Sequence, residues 1–138
     1  MAGQKNRRFV LAERPKGLPT QDTLRLEEVD IPAPAEGEIV LKTLYLSLDP
    51  YMRGRMNDAP SYSPPVPIGG VMDGGTVGKV IASRAADFAE GDIVVGYGGW
   101  QEYATLKRTR RERSIPRSHR SQQRLACLAC RATPLMRA

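Results

Sequence analysis

Hydrophobic positions in the first hundred residues come in short runs, and each run stops at a Gly or a Pro. Phe9-Val10-Leu11 is one such run, ended by the Pro15–Pro19 stretch. Residues 23–29 alternate apolar and polar side chains, the period of a half-buried strand. Residues 31–37 are a proline-rich connection to a turn. Glu38 to Leu48 is the longest β-prone run, with Val40, Lys42, Leu44 and Leu46 set against Leu41, Thr43 and Tyr45. Four prolines mark 60–67 as loop, and 68–82 is glycine-rich but β-prone. Two further strands are predicted over 93–97 and 100–106, on either side of Gly98-Gly99.

One segment breaks the strand pattern. Asp49-Pro50-Tyr51-Met52-Arg53-Gly54-Arg55-Met56 predicts a short helical turn straight after the longest strand. Asp49 suits the N-cap, and Pro50 suits the first helical position, where no amide partner is needed. Gly54 and Pro60 keep the turn short. Many short strands, Gly/Pro turns and little helix predict a mainly β fold, a compact barrel with short helical turns. No internal repeat is visible.

Charge divides the chain in two. The whole carries a net +6, which taken alone suggests a polyanion partner. Residues 1–106 carry 11 Lys and Arg against 14 Asp and Glu, a net −3. Residues 107–138 carry 10 against one, a net +9. The tail has almost no apolar pattern and reads as a disordered basic segment. The body charge argues against a nucleic-acid surface there.

Candidate chemistry is limited by what the body lacks. Its two cysteines, Cys127 and Cys130, and its one histidine, His119, all lie in the tail. Residues 1–106 therefore offer no thiolate or imidazole to a zinc ion and no Ser-His-Asp or Cys-His machinery. Cys127-x-x-Cys130 has no second pair for zinc and no βαβ context for redox work. No apolar run approaches the roughly 20 residues that span a bilayer, and the N-terminus has no secretory pattern, so the expected compartment is cytoplasmic. Gly69-Gly70 and Gly74-Gly75 precede no helix and are read as barrel turns rather than a phosphate cradle. Trp100 and Tyr103 are expected in the core, and Arg55 on a solvated helix face.

Three segments carry a resemblance: LYLSLDPYMRGRM at 44–56, PPVPIGGVMDGGTVGKVIAS at 64–83 and FAEGDIVVGYGGWQEYATL at 88–106. Together they resemble the N-terminal, GroES-like domain of medium-chain dehydrogenases/reductases. They are most similar to the zinc-independent, NADP-dependent branch of leukotriene B4 12-hydroxydehydrogenase / prostaglandin reductase and 2-alkenal reductase enzymes. Where zinc-dependent relatives carry Cys and Gly-His-Glu, this chain has Leu46-Ser47-Leu48-Asp49-Pro50 and Ile68-Gly69-Gly70-Val71. The resemblance implies a partly open GroES-like barrel and no metal. It implies reduction of the C=C bond of an α,β-unsaturated ketone or aldehyde, hydride passing from NADPH to the β-carbon. It places Tyr51 on the substrate side, with Arg53 and Met56 near the same wall. The tyrosine credited with enolate stabilisation, like the cofactor site, belongs to the family's nucleotide-binding domain. Full-length members are expected to be homodimers.

The expected organisation is a GroES-like domain over 1–106, a basic tail over 107–138 and no Rossmann domain in this chain. Shifting the frame of LACLACRATPLMRA, with permitted synonymous codons, yields LGVLGMPGNTAYAG, which resembles the opening of the family's nucleotide-binding domain. The tail is accordingly read as an out-of-frame translation and the chain as a truncated enzyme without turnover of its own. Its partner surface near Leu106 is expected to be exposed. The alternative is a natural Arg-rich tail that binds nucleic acid through backbone charge.

Overall fold

The computed structural model describes residues 4–107, 113–115 and 132–134. Strand β1 (Lys5–Leu11) and strand β2 (Leu24–Asp30) form an antiparallel pair, with Phe9 opposite Leu26. Strand β3 (Glu38–Ser47) leads into helix α1 (Tyr51–Arg55). Then come β4 (Thr76–Ser83), β5 (Ile93–Gly96) and β6 (Tyr103–Lys107). Two three-residue strands follow, β7 (Arg113–Ile115) and β8 (Ala132–Pro134). The second sheet runs β6-β3-β4-β5-β7, with β8 also on β3. Both partners lie along β3, β6 at Glu38–Lys42 and β8 at Tyr45–Ser47. The fold is mainly β, as the sequence pattern and the resemblance both imply, and its sheets are open, closer to the partly open barrel of the resemblance than to the compact barrel of the pattern. Among the described residues no helix is long and apolar enough to cross a membrane.

Three local readings change. The simple alternation expected along 38–48 is interrupted, because the β3–β4 register shifts between Val40 and Leu41 and again between Thr43 and Tyr45. Ile39, Val40 and Leu41 are buried in succession, while Leu44 and Tyr45 both face out. A bulge adds a residue without a partner and re-aims those that follow. The glycine-rich run becomes a strand only from Thr76; before it, Val71 forms an isolated bridge to Val10. Asp49 does not cap helix α1 through its side chain, which accepts from Ser47 Oγ at 2.7 Å. Its carbonyl opens the helix instead, accepting from Met52 N–H at 3.1 Å, and Pro50 already has helical dihedrals.

The core is in two clusters. Ile39, Leu41, Val80, Val94 and Leu106 fill the space beside the large sheet. Leu106 is only 8% exposed, so the apolar surface expected near it is core. Leu11, Met52, Met56, Val66 and Met72 form the second cluster under helix α1, with Tyr51 and Trp100 packed against it. Trp100 also meets Phe9 edge-on, ring centroids 6.2 Å apart. Tyr103 is buried, as expected. Of the expected tail, Lys107 closes β6 and two short strands pair with the sheet. The remainder, including His119, Cys127 and Cys130, lies outside the described residues.

Candidate functional site

The candidate site forms where β3 ends and helix α1 begins. Tyr51 opens the helix, half-buried against the second core cluster. Burial pushes its phenol above the ordinary value of 10.0, and the nearby charge of Asp49 adds to the effect, with smaller contributions from Tyr97, Asp73 and Tyr62. Tyr51 is thus a neutral O–H donor at physiological pH, in the company of two more tyrosines and two carboxylates. Tyr62 and Tyr97 are largely exposed, as are Leu48 and Ile68 in the flanking loops.

The other two expected site residues take different places. Arg53 turns away from Tyr51 to the loop after β1. Its Nε donates to the Gly17 carbonyl at 2.9 Å, its Nη2 to the Pro15 carbonyl at 3.0 Å, and its Nη1 to Asn57 Oδ1 at 2.6 Å. Met56 is 4% exposed and belongs to the core beneath the helix. Its carbonyl accepts from Arg14 Nη1 at 2.8 Å. The structure therefore leaves Tyr51 half-buried at the start of the helix, ties Arg53 to the loop after β1 and places Met56 in the core.

Arg55 corrects the sequence reading outright. It is not a solvated helix face: its side chain is 13% exposed and paired with Asp73. Nε donates to Asp73 Oδ2 at 2.7 Å, and Nη2 reaches the same oxygen. Asp73 follows Met72, whose N–H donates to the Phe9 carbonyl at 3.0 Å and whose carbonyl accepts from Trp100 N–H at 2.8 Å. Neither Arg55, Asp73, Tyr62 nor Tyr97 was singled out as a site residue. Arg55, Asp73 and Tyr97 lie in the segments that carry the resemblance, whereas Tyr62 lies between two of them.

The described residues do not form a dinucleotide cradle. A phosphate-binding loop needs free backbone N–H groups leading into a helix, but the Gly69 and Gly70 N–H groups already donate to the Leu11 and Pro67 carbonyls. A Cβ on Gly70 would lie 2.8 Å from Pro67, and one on Gly74 2.7 Å from Leu46 and 3.1 Å from the Trp100 ring. Gly70 and Gly74 serve close packing, which the turn reading did not anticipate, while Gly69 has φ +80° with open space beside it, as a turn glycine does. Among the described residues no cluster of three or more His, Cys, Asp or Glu side chains could hold a metal ion. The alternative of nucleic-acid binding rests on the tail, outside the described residues.

Comparison with known proteins now adds to this geometry. Residues 7–113 match the family profile described as the N-terminal domain of oxidoreductase. The chain is 62% identical over 100 residues to the NADPH-dependent curcumin reductase of Escherichia coli, covering 72% of this chain and 29% of that protein. It is 36% identical over 112 residues to a 2-alkenal reductase (NADP(+)-dependent) of Nicotiana tabacum, covering 75% of this chain and 32% of that protein. The crystal structure of CurA from Vibrio vulnificus in complex with NADPH superposes with a TM-score of 0.75 at 50% identity, over 83% of this chain and 34% of that one. The chain spans about a third of the length of the relatives it matches.

Proposed function

The chain belongs to the N-terminal-domain family of zinc-independent medium-chain oxidoreductases, and from that premise we propose that it is the substrate-side domain of an NADPH-dependent reductase acting on the C=C bond of α,β-unsaturated ketones or aldehydes. The observation that carries this reading is the 62% identity to a curcumin reductase, across the segment that contains Tyr51. Such a reaction places negative charge on the carbonyl oxygen as the double bond is reduced. A neutral, partly desolvated O–H aimed at that oxygen stabilises the charge more than a hydrated one. By the resemblance that role belongs to a tyrosine of the nucleotide-binding domain; Tyr51, a neutral and partly desolvated phenol, we assign to the substrate wall beside it. Arg53 and Met56 contribute by holding the helix rather than by touching substrate.

NADPH is assigned to the nucleotide-binding domain that the family resemblance implies, in line with the NADPH named for the similar proteins. Residues 1–106 are taken as the functional unit, and residues 107–138 as an out-of-frame stretch that the coding DNA would reveal. On this reading the 138-residue chain alone has no turnover.

The test is a chimera of residues 1–106 with the nucleotide-binding domain of the E. coli curcumin reductase. With NADPH and an aryl enone, it should consume NADPH and give the saturated ketone, while the chain alone consumes none. A chimera that yields the allylic alcohol, or that folds and leaves both enones and 2-alkenals untouched, overturns the reading.

A further inference from the structure

Helix α1 is little more than one turn long, too short to hold its own position. Its placement must come from contacts with the rest of the domain. Met52 and Met56 supply apolar packing, and three arginine side chains add polar anchors. Arg53 reaches the Pro15–Gly17 loop, Arg14 reaches the Met56 carbonyl, and Arg55 reaches Asp73. The third contact is the unusual one. It is the one of the three arginine anchors that is an ion pair, and it leaves Arg55 Nη1 buried with no partner. Arg55 gives up water and leaves one donor idle for a carboxylate that stays 40% exposed, so the pair contributes little net stability. Such a pair is better explained by orientation.

The anchor point supports this. Asp73 sits between two residues fixed by backbone bonds, Met72 to β1 and Trp100, and Gly74, whose carbonyl accepts from Gly99 N–H at 3.1 Å. The Arg55 carbonyl is itself held by Val66 N–H at 2.9 Å. Residues four apart on a helix share a face, so Arg55 lies one turn beyond Tyr51 on the same side. We propose that the Arg55–Asp73 pair is a positioning device that fixes helix α1 against the rigid Met72–Gly74 rib and thereby sets the depth of the Tyr51 ring in the site. Arg55 acts through Tyr51 and touches no substrate. The functional weight of this device rests on the assignment of Tyr51 to the substrate wall.

Nitration by tetranitromethane at pH 8, mapped tyrosine by tyrosine on the full chain, reads the device directly. Tyr62 is 83% exposed and Tyr103 is 3% exposed, so they serve as the fast and protected references. In the parent chain Tyr51 should react several-fold more slowly than Tyr62. Arg55→Lys keeps the cation but loses the two-donor grip, and should raise the Tyr51 rate while Tyr103 stays protected. Exchanging the partners (Arg55→Asp with Asp73→Arg) should return Tyr51 toward its parent rate. An unchanged Tyr51 rate in Arg55→Lys overturns the proposal. So does a parallel rise at Tyr51 and Tyr103, which would mean general loosening. If enone reduction by the chimera fails while this pattern holds, the substrate reading falls and the positioning role stands; the reverse result separates them equally well.

Discussion

Asn6 hydrogen-bonds Tyr103 as a neighbouring strand would. Its Nδ2 donates to the Tyr103 carbonyl at 2.9 Å, and its Oδ1 accepts from the Tyr103 N–H at 2.9 Å. Nδ2 also reaches Gln101 Oε1 at 3.2 Å. Asn6 is 2% exposed, so these bonds replace water completely. One amide thus joins the two-stranded sheet to β6 of the larger one. Asn6→Ala strands two buried backbone groups and should cost roughly 2–4 kcal/mol, read as a drop in the urea midpoint. Asn6→Asp keeps the acceptor but loses the donor and buries a charge. It should be worse than alanine at pH 7 and recover in acid as the carboxylate protonates.

Glu102 gives the fold an acid-sensitive clasp. Its carboxylate accepts from Arg7 Nε at 3.1 Å, and this side-chain hydrogen bond holds its pKa below the ordinary value of 4.5. Burial opposes the shift, while the Arg7 backbone and charge and the Lys42 charge support it. A carboxyl with a lowered folded pKa adds stability that is fully present above the unfolded value and lost as pH falls through the folded one. Glu102→Gln should therefore be less stable than the parent at pH 7. The difference should shrink from about pH 5 downward and vanish once Glu102 is protonated in the folded as well as the unfolded state. Urea melts of the two proteins from pH 7 to pH 3 check this. A gap that stays constant across the range would assign the stabilisation to something other than ionised Glu102.

Two glycines with positive φ separate conformational cost from steric cost. Gly91 has φ +91° and open space where a Cβ would sit. Gly99 has φ +74° and the Met72 carbonyl 2.9 Å from that position. Both disfavour an L side chain, at about 1–2 kcal/mol each. Only Gly99→Ala must also displace backbone, and that backbone belongs to the rib carrying Asp73. Gly91→Ala should cost about 1 kcal/mol, and Gly99→Ala about 3 kcal/mol or more. Equal losses in a thermal melt would show that the rib yields.

The strands were legible because their ends carry Gly and Pro and their runs are β-prone; 93–97 and 38–48 are placed to within a residue or two. Helix α1 was legible from Asp49-Pro50, although Asp49 acts through its carbonyl. The bulges in β3 were not legible, since register depends on which residue of β4 lies opposite, and alternation along one strand cannot report that. The same limit hid Arg55 and Asp73. An Arg next to Gly54 and Met56 looks solvent-facing in a one-turn helix, and its partner is 18 residues away across a turn. Arg53, placed at the substrate wall by resemblance, has its donors taken by carbonyls of a loop 36 and 38 residues earlier. Non-local pairing decides all three cases, and charge or periodicity read along the chain carries no information about it.

Arg53 provides the remaining prediction, because the tether and the substrate contact make different demands. The loop it holds contains Lys16-Gly17, both exposed, a bond trypsin can cut once the segment opens. While the guanidinium holds the Pro15 and Gly17 carbonyls on either side of Lys16, that opening is disfavoured. Losing about 1 kcal/mol of net hydrogen bonding should raise the open population roughly fivefold. Arg53→Ala should thus speed cleavage after Lys16 by about that factor, measured by mass spectrometry at limiting trypsin. Arg53→Lys should fall between, since one ammonium cannot span both carbonyls as the planar fork does. In the chimera, both variants should change KM for an enone only modestly, because on the proposed assignment Tyr51 and not Arg53 faces the substrate, and Arg14 and Arg55 still hold helix α1. An increase in KM with no change at Lys16 would return Arg53 to the substrate wall and remove its role as the tether.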